Sequence, residues 1–375
     1  MKKRIFSVIL SIFLLIITII PVSAEETLPK DESKTLITEK IIINMAENFA
    51  KEINPLENIS AANPIKLYDM NGQAIGYVVN YYKDDMPYGY IIFDNSNSDL
   101  ISEYSFGEAS LNPYSTIVQK NNVSTYSTEE PFLYKTAPFT YALYDASSEK
   151  LIDNYGYSQN VDVSTFSNKP AEWEDVIFDT SEINSSYSII STNHLDDFYA
   201  FGETYIEDLT GHYACLVSAL YTCGSFFGVL DYSDVKGDYL QLWEDTNTEF
   251  DHEDNGITYG STNIFDGASG FEKFCRRKGK NISTYTTDTV TYNFFTTAID
   301  KGKISVVHAG IFSASDQERS GHSMTVEGYA SLTEKNSGKD VDMLMIFDGW
   351  NEYIRYLNFD FNGWMDLRGT NFEWQ

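Results

Sequence analysis

Strand-forming residues occur in four successive runs in the first third of the chain, and turn residues separate these runs. The first run, 65–69, is joined to a second run, 74–81, through an Asn-Gly pair. An Asn-Gly pair between two such runs is a strong signal for a β-hairpin. Further runs follow at 88–93 and 100–106, so the sequence predicts an antiparallel sheet in this region.

Helical patterns occur on both sides of this predicted sheet. Residues 31–53 carry apolar side chains at helical spacing, which predicts one amphipathic helix before the strands. After residue 195, helix candidates come first and strand candidates follow. The helices are predicted at 210–221, 270–277 and 292–300, and the strands at 304–310, 323–329, 343–347 and 353–359. Helices followed by antiparallel strands indicate the α+β class.

These patterns divide the chain into four segments. A smaller domain of one helix and an antiparallel sheet is predicted at 25–114, after an N-terminal segment at 1–24. Residues 115–194 are rich in Ser, Thr, Asn and Asp, and we interpret them as a linker with some structure. A larger α+β domain is predicted at 195–375, because a chain of this length usually forms about two domains.

The N-terminal segment has the three parts of a secretory signal peptide. Basic residues at 2–4 precede an uncharged, mostly apolar run at 5–20, and small residues follow at 22–24. The run is shorter than the roughly 20 apolar residues that a permanent membrane span requires. We therefore expect a bacterial Sec-type signal peptide, a secreted mature chain that begins near Glu25, and no stable membrane anchor.

The chain is strongly acidic, with a formal charge of −29 that becomes −32 when the three positive charges of residues 1–24 are removed. Such a chain repels phosphate backbones, so nucleic acid is not an expected partner. The sequence has no glycine-rich phosphate loop, and we expect no cofactor and no metal. Residues 251–256 resemble part of a calcium loop, but Thr262 stands where the closing Glu is expected.

Three cysteines, Cys215, Cys223 and Cys275, lie in the C-terminal half, and their odd number leaves at least one thiol free. Cys215 falls in the first turn of a predicted helix. A helix N-terminus lowers the pKa of a thiol and favours the nucleophilic thiolate. The alternative is a small apolar residue that packs the helix. Cys223 is expected to pack, and no base is apparent for Cys275.

A histidine and an aspartate downstream complete a reactive set. His322 precedes the strand predicted at 323–329, on its inward face, where both ring nitrogens need partners. Asp348 ends the apolar strand at 343–347 and is followed by Gly-Trp. Each has a structural alternative, namely a core histidine and a turn residue. Together with Cys215 they supply a nucleophile, a base and an orienting acceptor.

These three segments resemble the papain-like cysteine peptidases of bacteria, especially the double-glycine leader peptidases and the streptopain-like enzymes. That family has a Cys at a helix start, later a Gly-His strand, and then a strand that ends in Asn or Asp with Trp close behind. The matching residues are Cys215, then Gly321-His322 with Val326 and Gly328-Tyr329, then Asp348-Gly349-Trp350. The resemblance covers about 200–360, and the region 30–114 is similar to streptopain-like propeptide domains.

The resemblance implies a papain-like fold and a secreted thiol protease made as a zymogen. Cys215 would be the nucleophile, His322 the base and Asp348 the residue that orients the imidazole, with Trp350 shielding that contact. The substrate would be a peptide or protein, and no cofactor would be needed. The propeptide-like domain would chaperone folding or block the cleft until the chain is cut within 115–190.

One position departs from the family. Papain-like enzymes place a Gln about six residues before the nucleophile to bind the oxyanion, and position 209 here is Leu. The Cys215 N–H would supply one donor, and His212 or Asn193 a second. Two alternatives stay open: an inactive exported papain-like protein that binds or inhibits a partner, and a transferase that uses the same three residues.

Overall fold

Fifteen strands form one mainly antiparallel sheet in the computed structural model, and two smaller sheets have three strands and two strands. The structure describes residues 34–96, 99–108, 110–121, 132–145, 147–156, 158–160, 176–196, 198–312, 319–360 and 365–375. Residues 35–375 form one compact unit. Eight helices occur within the described ranges, and this mixture of helices with antiparallel sheet agrees with the predicted α+β class. The predicted signal segment, 1–24, lies outside the described residues.

The N-terminal part of the fold contains two helices, a four-stranded meander and a further group of strands. Its elements are β1 (Lys34–Leu36), α1 (Glu39–Ile53), β2 (Ile59–Tyr68), β3 (Ala74–Lys83), β4 (Met86–Asp94), β5 (Ile101–Phe106), α2 (Pro113–Asn121), β6 (Phe132–Ala137), β7 (Thr140–Asp145), β8 (Lys150–Asp153) and β9 (Ser158–Asn160). The four strands predicted from 65 to 106 are confirmed. Asp69 closes the β2–β3 turn by accepting from the N–H groups of Asn71 at 2.9 Å and Gln73 at 2.8 Å.

The C-terminal part alternates helices and short strands before four long strands. Its elements are β10 (Ile177–Asp179), α3 (Thr180–Ile183), β11 (Tyr187–His194), α4 (Glu203–Thr210), β12 (His212–Tyr213), α5 (Cys215–Phe226), α6 (Val235–Asp245), β13 (Glu249–Asp254), β14 (Ile257–Ser261), α7 (Ile264–Arg277), β15 (Ile282–Thr287), α8 (Tyr292–Asp300), β16 (Ser305–Phe312), β17 (Arg319–Glu334), β18 (Asp340–Phe347), β19 (Arg355–Asn358) and β20 (Met365–Trp374). The helix predicted at 292–300 has the predicted bounds.

The first helix begins later than its apolar pattern predicts. The side chain of Thr38 accepts from the N–H of Ile41 at 3.4 Å, so Thr38 caps a helix that starts at Glu39 rather than at 31. The buried face of α1 includes Met45 and Phe49, which pack into the core formed with the meander. The cap, rather than the apolar spacing, sets where this helix starts.

The large sheet runs through both halves of the chain. Its order is β15-β20-β16-β17-β18-β19-β5-β4-β3-β2-β6-β7-β8-β9, with β11 paired to β17. The halves join where β5 and β19 pair antiparallel, with Tyr104 opposite Tyr356 and Glu103 opposite Leu357. Strands also occur within 115–194, where β6–β9 extend one edge of the sheet. The domain boundaries at 114 and 194 stay predictions.

The helix that carries Cys215 is central to the C-terminal half. Gly211 ends α4 with a left-handed φ of 72°, so α5 is a separate helix rather than a continuation from 210. Every residue of α5 from Leu216 to Ser225 is buried, as expected for a helix that is apolar on all sides. The hydroxyl of Thr325 on β17 donates to the Ala219 carbonyl at 3.4 Å, which ties α5 to that strand.

Among the helices that the structure describes, none combines the length and the apolarity that crossing a membrane requires.

Candidate active site

The imidazole of His322 is held in one orientation on β17. The ring is 2% exposed, and Nε2 lies 2.7 Å from the backbone carbonyl oxygen of Asp348. A carbonyl oxygen can only accept, so Nε2 carries the proton and Nδ1 is the acceptor nitrogen of the neutral ring. Nδ1 is buried and has no hydrogen-bond partner among the described residues. A buried ring nitrogen with a free lone pair is what a general base requires.

Aromatic rings fix the plane of this imidazole. The indole of Trp350 stacks on His322 with ring centroids 3.2 Å apart and planes 7° apart. Tyr155, from the loop after β8, packs on Trp350 at 3.8 Å and lies 6.3 Å from the His322 ring. Trp350 thus stands beside the His322–Asp348 hydrogen bond, where the resemblance places the shielding tryptophan.

The carboxylate of Asp348 does not contact the His322 ring, although it was expected to accept from it. Its oxygens accept from the N–H groups of Trp350 at 3.0 Å and Asn351 at 2.8 Å, from the Asn351 amide at 2.8 Å, and from Arg355 at 2.7 Å. These donors occupy the carboxylate oxygens. The backbone carbonyl of Asp348 accepts the hydrogen bond from the imidazole instead. Burial alone would raise the pKa of Asp348, but Arg355 and the N–H donors outweigh burial and lower it.

Cys215 reaches the strand segment that carries His322. Its Sγ lies 3.9 Å from the carbonyl oxygen of Gly321, a residue 106 positions away in sequence. Gly321 is exposed, and a Cβ at that position would meet no atom closer than 4.0 Å. The structure therefore brings together all three sequence-predicted segments: the α5 start, the His322 strand and the Asp348 turn.

The charges of Cys215 and His322 differ from those expected for a thiol at a helix N-terminus, where a lowered pKa would favour the thiolate. Burial raises the pKa of the Cys215 thiol, and this effect outweighs the backbone N–H groups of Ser323 and Leu216 that lower it. Burial also lowers the pKa of His322 to about 4, although Asp348 acts in the opposite direction. Both groups are therefore neutral at pH 7. At rest the two groups therefore do not form a thiolate–imidazolium pair.

Tyr239 fixes the position of the nucleophile. Its buried hydroxyl accepts from the N–H of Ala214 at 3.2 Å and bonds the Ser218 hydroxyl at 3.0 Å. Ala214 and Ser218 flank Cys215 at the first turn of α5, so one phenol holds both sides of that turn.

The two side chains suggested as a second oxyanion donor have other partners. Nδ1 of His212 lies 3.2 Å from the Thr210 carbonyl, and the ring packs edge-on against Trp243. The amide of Asn193, on β11, donates to Asp300 at 3.0 Å. The N–H of Cys215 at the start of α5 stays a predicted oxyanion donor.

The other cysteines and the acidic loop stand apart from this chemistry. Cys223 and Cys275 are 0% exposed in the core around α5, where Cys223 packs as expected. Residues 251–254 lie in strand β13, and Asn255-Gly256 forms the turn of the β13–β14 hairpin. Within the described residues, no three His, Cys, Asp or Glu side chains are grouped so that they could hold a metal ion.

His308 is a structural histidine. Its Nδ1 bonds the Ser323 hydroxyl and its Nε2 the Thr370 hydroxyl, each at 2.9 Å. Burial, together with Arg368, lowers its pKa to about 3, so the ring stays neutral. Because Ser323 follows His322, His308 supports the strand that carries the candidate base.

Sequence reasoning missed Arg355, Asn351 and Glu103, which hold the Asp348 turn. Arg355 bridges Asp348 and Glu103 with both ion pairs almost fully buried. The available signal was weak: Arg355 is a lone cation inside a predicted strand at 353–359, next to aromatic residues. A charge in such a strand calls for a buried partner, but nothing in the sequence points to Glu103 as that partner.

No protein-family model matches this chain, and a search of the curated proteins gives no match. The functional assignment therefore depends on the residues and geometry of the site.

The site predicts a pH-dependent stability. The pKa of His322 is about 4 in the fold against an ordinary value of 6.5, so the unfolded chain binds the proton first as the pH falls. The stability that the fold gains from keeping His322 neutral is fully present above pH 6.5. This part of the unfolding free energy is lost as the pH falls from 6.5 to 4. Raised carboxyl pKa values, about 8 for Glu203 and Glu327 through burial, act in the opposite direction as the pH rises.

A paired comparison isolates the histidine. We expect the difference in unfolding free energy between the wild type and His322→Gln to shrink by up to about 3 kcal/mol between pH 7 and pH 4. Urea unfolding at several pH values measures this difference. A difference that stays constant over this range would contradict a buried, neutral His322.

Proposed function

We propose that this protein is a secreted cysteine peptidase that hydrolyses peptide bonds through Cys215 and His322. The observation that carries the proposal is that Cys215 Sγ lies 3.9 Å from the carbonyl oxygen of Gly321, the residue before His322, whose buried Nδ1 has no hydrogen-bond partner among the described residues. The Nε2–H bond to the Asp348 carbonyl and the stacked Trp350 ring support it. They leave only the lone pair of Nδ1 available for the thiol proton.

The reaction follows from the two neutral groups. The Cys215 thiol transfers its proton to Nδ1 of His322 as Sγ attacks the peptide carbonyl carbon, and the N–H of Cys215 stabilises the oxyanion. The imidazolium then protonates the leaving amine, and a thioester remains on Cys215. Water attacks the thioester while Nδ1 accepts its proton, which releases the acid product and restores the thiol. Asp348 fixes the tautomer through its carbonyl rather than its carboxylate.

A papain-like arrangement of the C-terminal half is part of the proposal. The nucleophile begins helix α5, the base lies on β17, and the orienting turn follows β18. β16, β17 and β18 are neighbouring antiparallel strands, and α5 packs against β17. A helix that carries Cys against a sheet that carries His and Asp is the arrangement that the resemblance implies.

Thiol labelling tests the assignment. We expect a peptidyl chloromethyl ketone to alkylate Cys215 far faster than Cys223 and Cys275, which are 0% exposed and serve as internal controls. His322→Ala should slow the labelling of Cys215 about 100-fold or more, because the base is lost. Peptide mapping by mass spectrometry measures each rate. Slow labelling of all three cysteines, unaffected by His322→Ala, would overturn the peptidase.

One observation favours a second candidate, an inactive papain-like exported protein that binds or inhibits a partner. Leu209 replaces the expected Gln and is 43% exposed, and His212 and Asn193 have other partners. The labelling experiment separates the candidates, since an inactive protein needs no activated thiol.

Export and processing complete the proposal. The basic and apolar segments at 2–20 predict removal of residues 1–24. We expect the protein secreted by a bacterial host to begin near Glu25, and a later cut to fall within 115–190. Intact-mass and N-terminal analysis of culture supernatant measure both events. A secreted chain that keeps residues 1–24 would contradict the signal peptide, and an uncut chain with full activity would contradict the zymogen.

A further inference from the structure

A buried chain of charges links the active-site turn to the N-terminal half. One guanidinium nitrogen of Arg355, Nη1, donates to the Asp348 carboxylate at 2.7 Å. The other, Nη2, donates to the Glu103 carboxylate at 2.6 Å. All three side chains are at most 1% exposed. Asp348 and Arg355 belong to the C-terminal half, whereas Glu103 lies on β5, within the segment predicted as a propeptide-like domain.

Asp348 connects the buried charges to His322 through the turn at 348–351. The same carboxylate that accepts from Arg355 also accepts from the N–H groups of Trp350 and Asn351, so it shapes the turn at 348–351. In this turn the Asp348 carbonyl accepts from His322, and the Trp350 indole stacks on the His322 ring. Rotation of the Asp348 carboxylate would therefore disturb both contacts that orient the base.

Glu103 is fixed on its own side of the link. The Tyr90 hydroxyl donates to Oε1 of Glu103 at 2.7 Å, and the Tyr141 hydroxyl donates to Oε2 at 3.4 Å. The backbone of Glu103 lies opposite Leu357 in the β5–β19 pairing. Removing this half would leave the Arg355 guanidinium with one carboxylate in place of two and would uncover the edge of β19.

We propose that Glu103 is a positioning residue of the active site and that the N-terminal half stays bound as a permanent part of the enzyme. The inference rests on the proposed function. A cut within 115–190 would sever the chain, but the β5–β19 pairing and the buried ion pairs would hold the two pieces together. Glu103 acts on His322 through Arg355 and Asp348 and does not touch the substrate.

Substitution of Glu103 tests the positioning role. We expect Glu103→Leu to lower the alkylation rate of Cys215 by iodoacetamide about 10- to 100-fold, because a small displacement of the base costs this much. Nitrogen NMR of His322 should show the single Nε2–H tautomer of the wild type give way to a mixture. Glu103→Asp should restore part of both signals. All measurements are made where circular dichroism shows each variant to be folded.

A matched control separates positioning from general damage. Asp94 on β4 is buried and forms an ion pair with Lys135 at 2.6 Å, also within the N-terminal half. Asp94→Asn should destabilise the fold but leave the His322 tautomer and the Cys215 rate of the folded protein unchanged. If folded Glu103→Leu matches Asp94→Asn in both readouts, the positioning role is wrong. The tautomer requires no turnover, so it decides this question even if the wild type shows no peptidase activity.

Fragment association tests the permanent role. The secreted chain, nicked within 115–190 by limited proteolysis, is passed over a gel-filtration column under native conditions. We expect the two fragments to elute together and to keep the Cys215 alkylation rate of the intact chain. A C-terminal fragment that elutes alone and alkylates at that rate would overturn the inference.

Discussion

We expect the replacement of Cys215 with Ala to lower the rate of peptide hydrolysis by about 10⁴-fold or more, because the acyl intermediate of the proposed reaction forms on the Cys215 sulfur. The fold should survive, since Cys215 is only partly buried at the first turn of α5. Ala also suits the start of a helix better than a larger residue would. Steady-state kinetics on a fluorogenic peptide, together with urea unfolding, measure both effects.

Cys223→Ala is the matched control. Cys223 lies two turns further along the same helix and is fully buried, so its replacement removes a core sulfur without touching the site. We expect Cys223→Ala to lose stability and to keep its activity. Full activity in Cys215→Ala would refute the assignment of the nucleophile.

Replacing Arg355 with Met lowers the free energy of unfolding by about 3–5 kcal/mol. Arg355 neutralises two buried carboxylates, Glu103 and Asp348, and its loss leaves both without a cation. These groups must then take up protons or draw in water, and either change weakens the junction of β5 and β19. Chemical denaturation at pH 7 measures the loss.

An exposed ion pair supplies the comparison for Arg355. Arg368 pairs with Asp288 at 3.1 Å, but both side chains are largely in water. Arg368→Met should therefore change the unfolding free energy by less than about 1 kcal/mol. If Arg355→Met were as mild as Arg368→Met, the buried charges would not stabilise the junction.

Local patterns predicted several elements of the fold. The Asn-Gly turn and its flanking runs specify the β2–β3 hairpin, and apolar spacing specifies the helix at 292–300, because such signals depend only on neighbouring residues. The sequence also indicated Cys215, His322 and Asp348, in that order, as candidate site residues. Their meeting depends on which helix packs on which strand, and the structure shows α5 against β17.

Long-range burial decided what the sequence could not show. The Asp348 carboxylate was expected at the imidazole, but Arg355 lies beside it in the fold, and the carbonyl serves His322 instead. The helix start suggested a lowered thiol pKa for Cys215, whereas desolvation raises it. Glu103, 252 residues before Arg355, gave no local sign of its role. Each of these outcomes depends on partners that only the folded chain brings together.

The pKa values of the pair indicate how the site would work. A partly buried thiol with a raised pKa and a histidine with a lowered pKa would stay neutral until a substrate carbonyl arrives. The proton then moves in the same step as the attack, so activity depends on the orientation of Nδ1 more than on a standing thiolate. This explains why the contacts that fix the ring, namely the Asp348 carbonyl and Trp350, are so close.

Trapping of the covalent intermediate tests the central claim most directly. A peptide ester is mixed with the wild-type protein, the reaction is quenched in acid within milliseconds, and the digested protein is mapped by mass spectrometry. We expect an acyl group as a thioester on Cys215 and none on Cys215→Ala. Hydrolysis of the ester with no acyl group on Cys215, at an equal rate in both proteins, would contradict it.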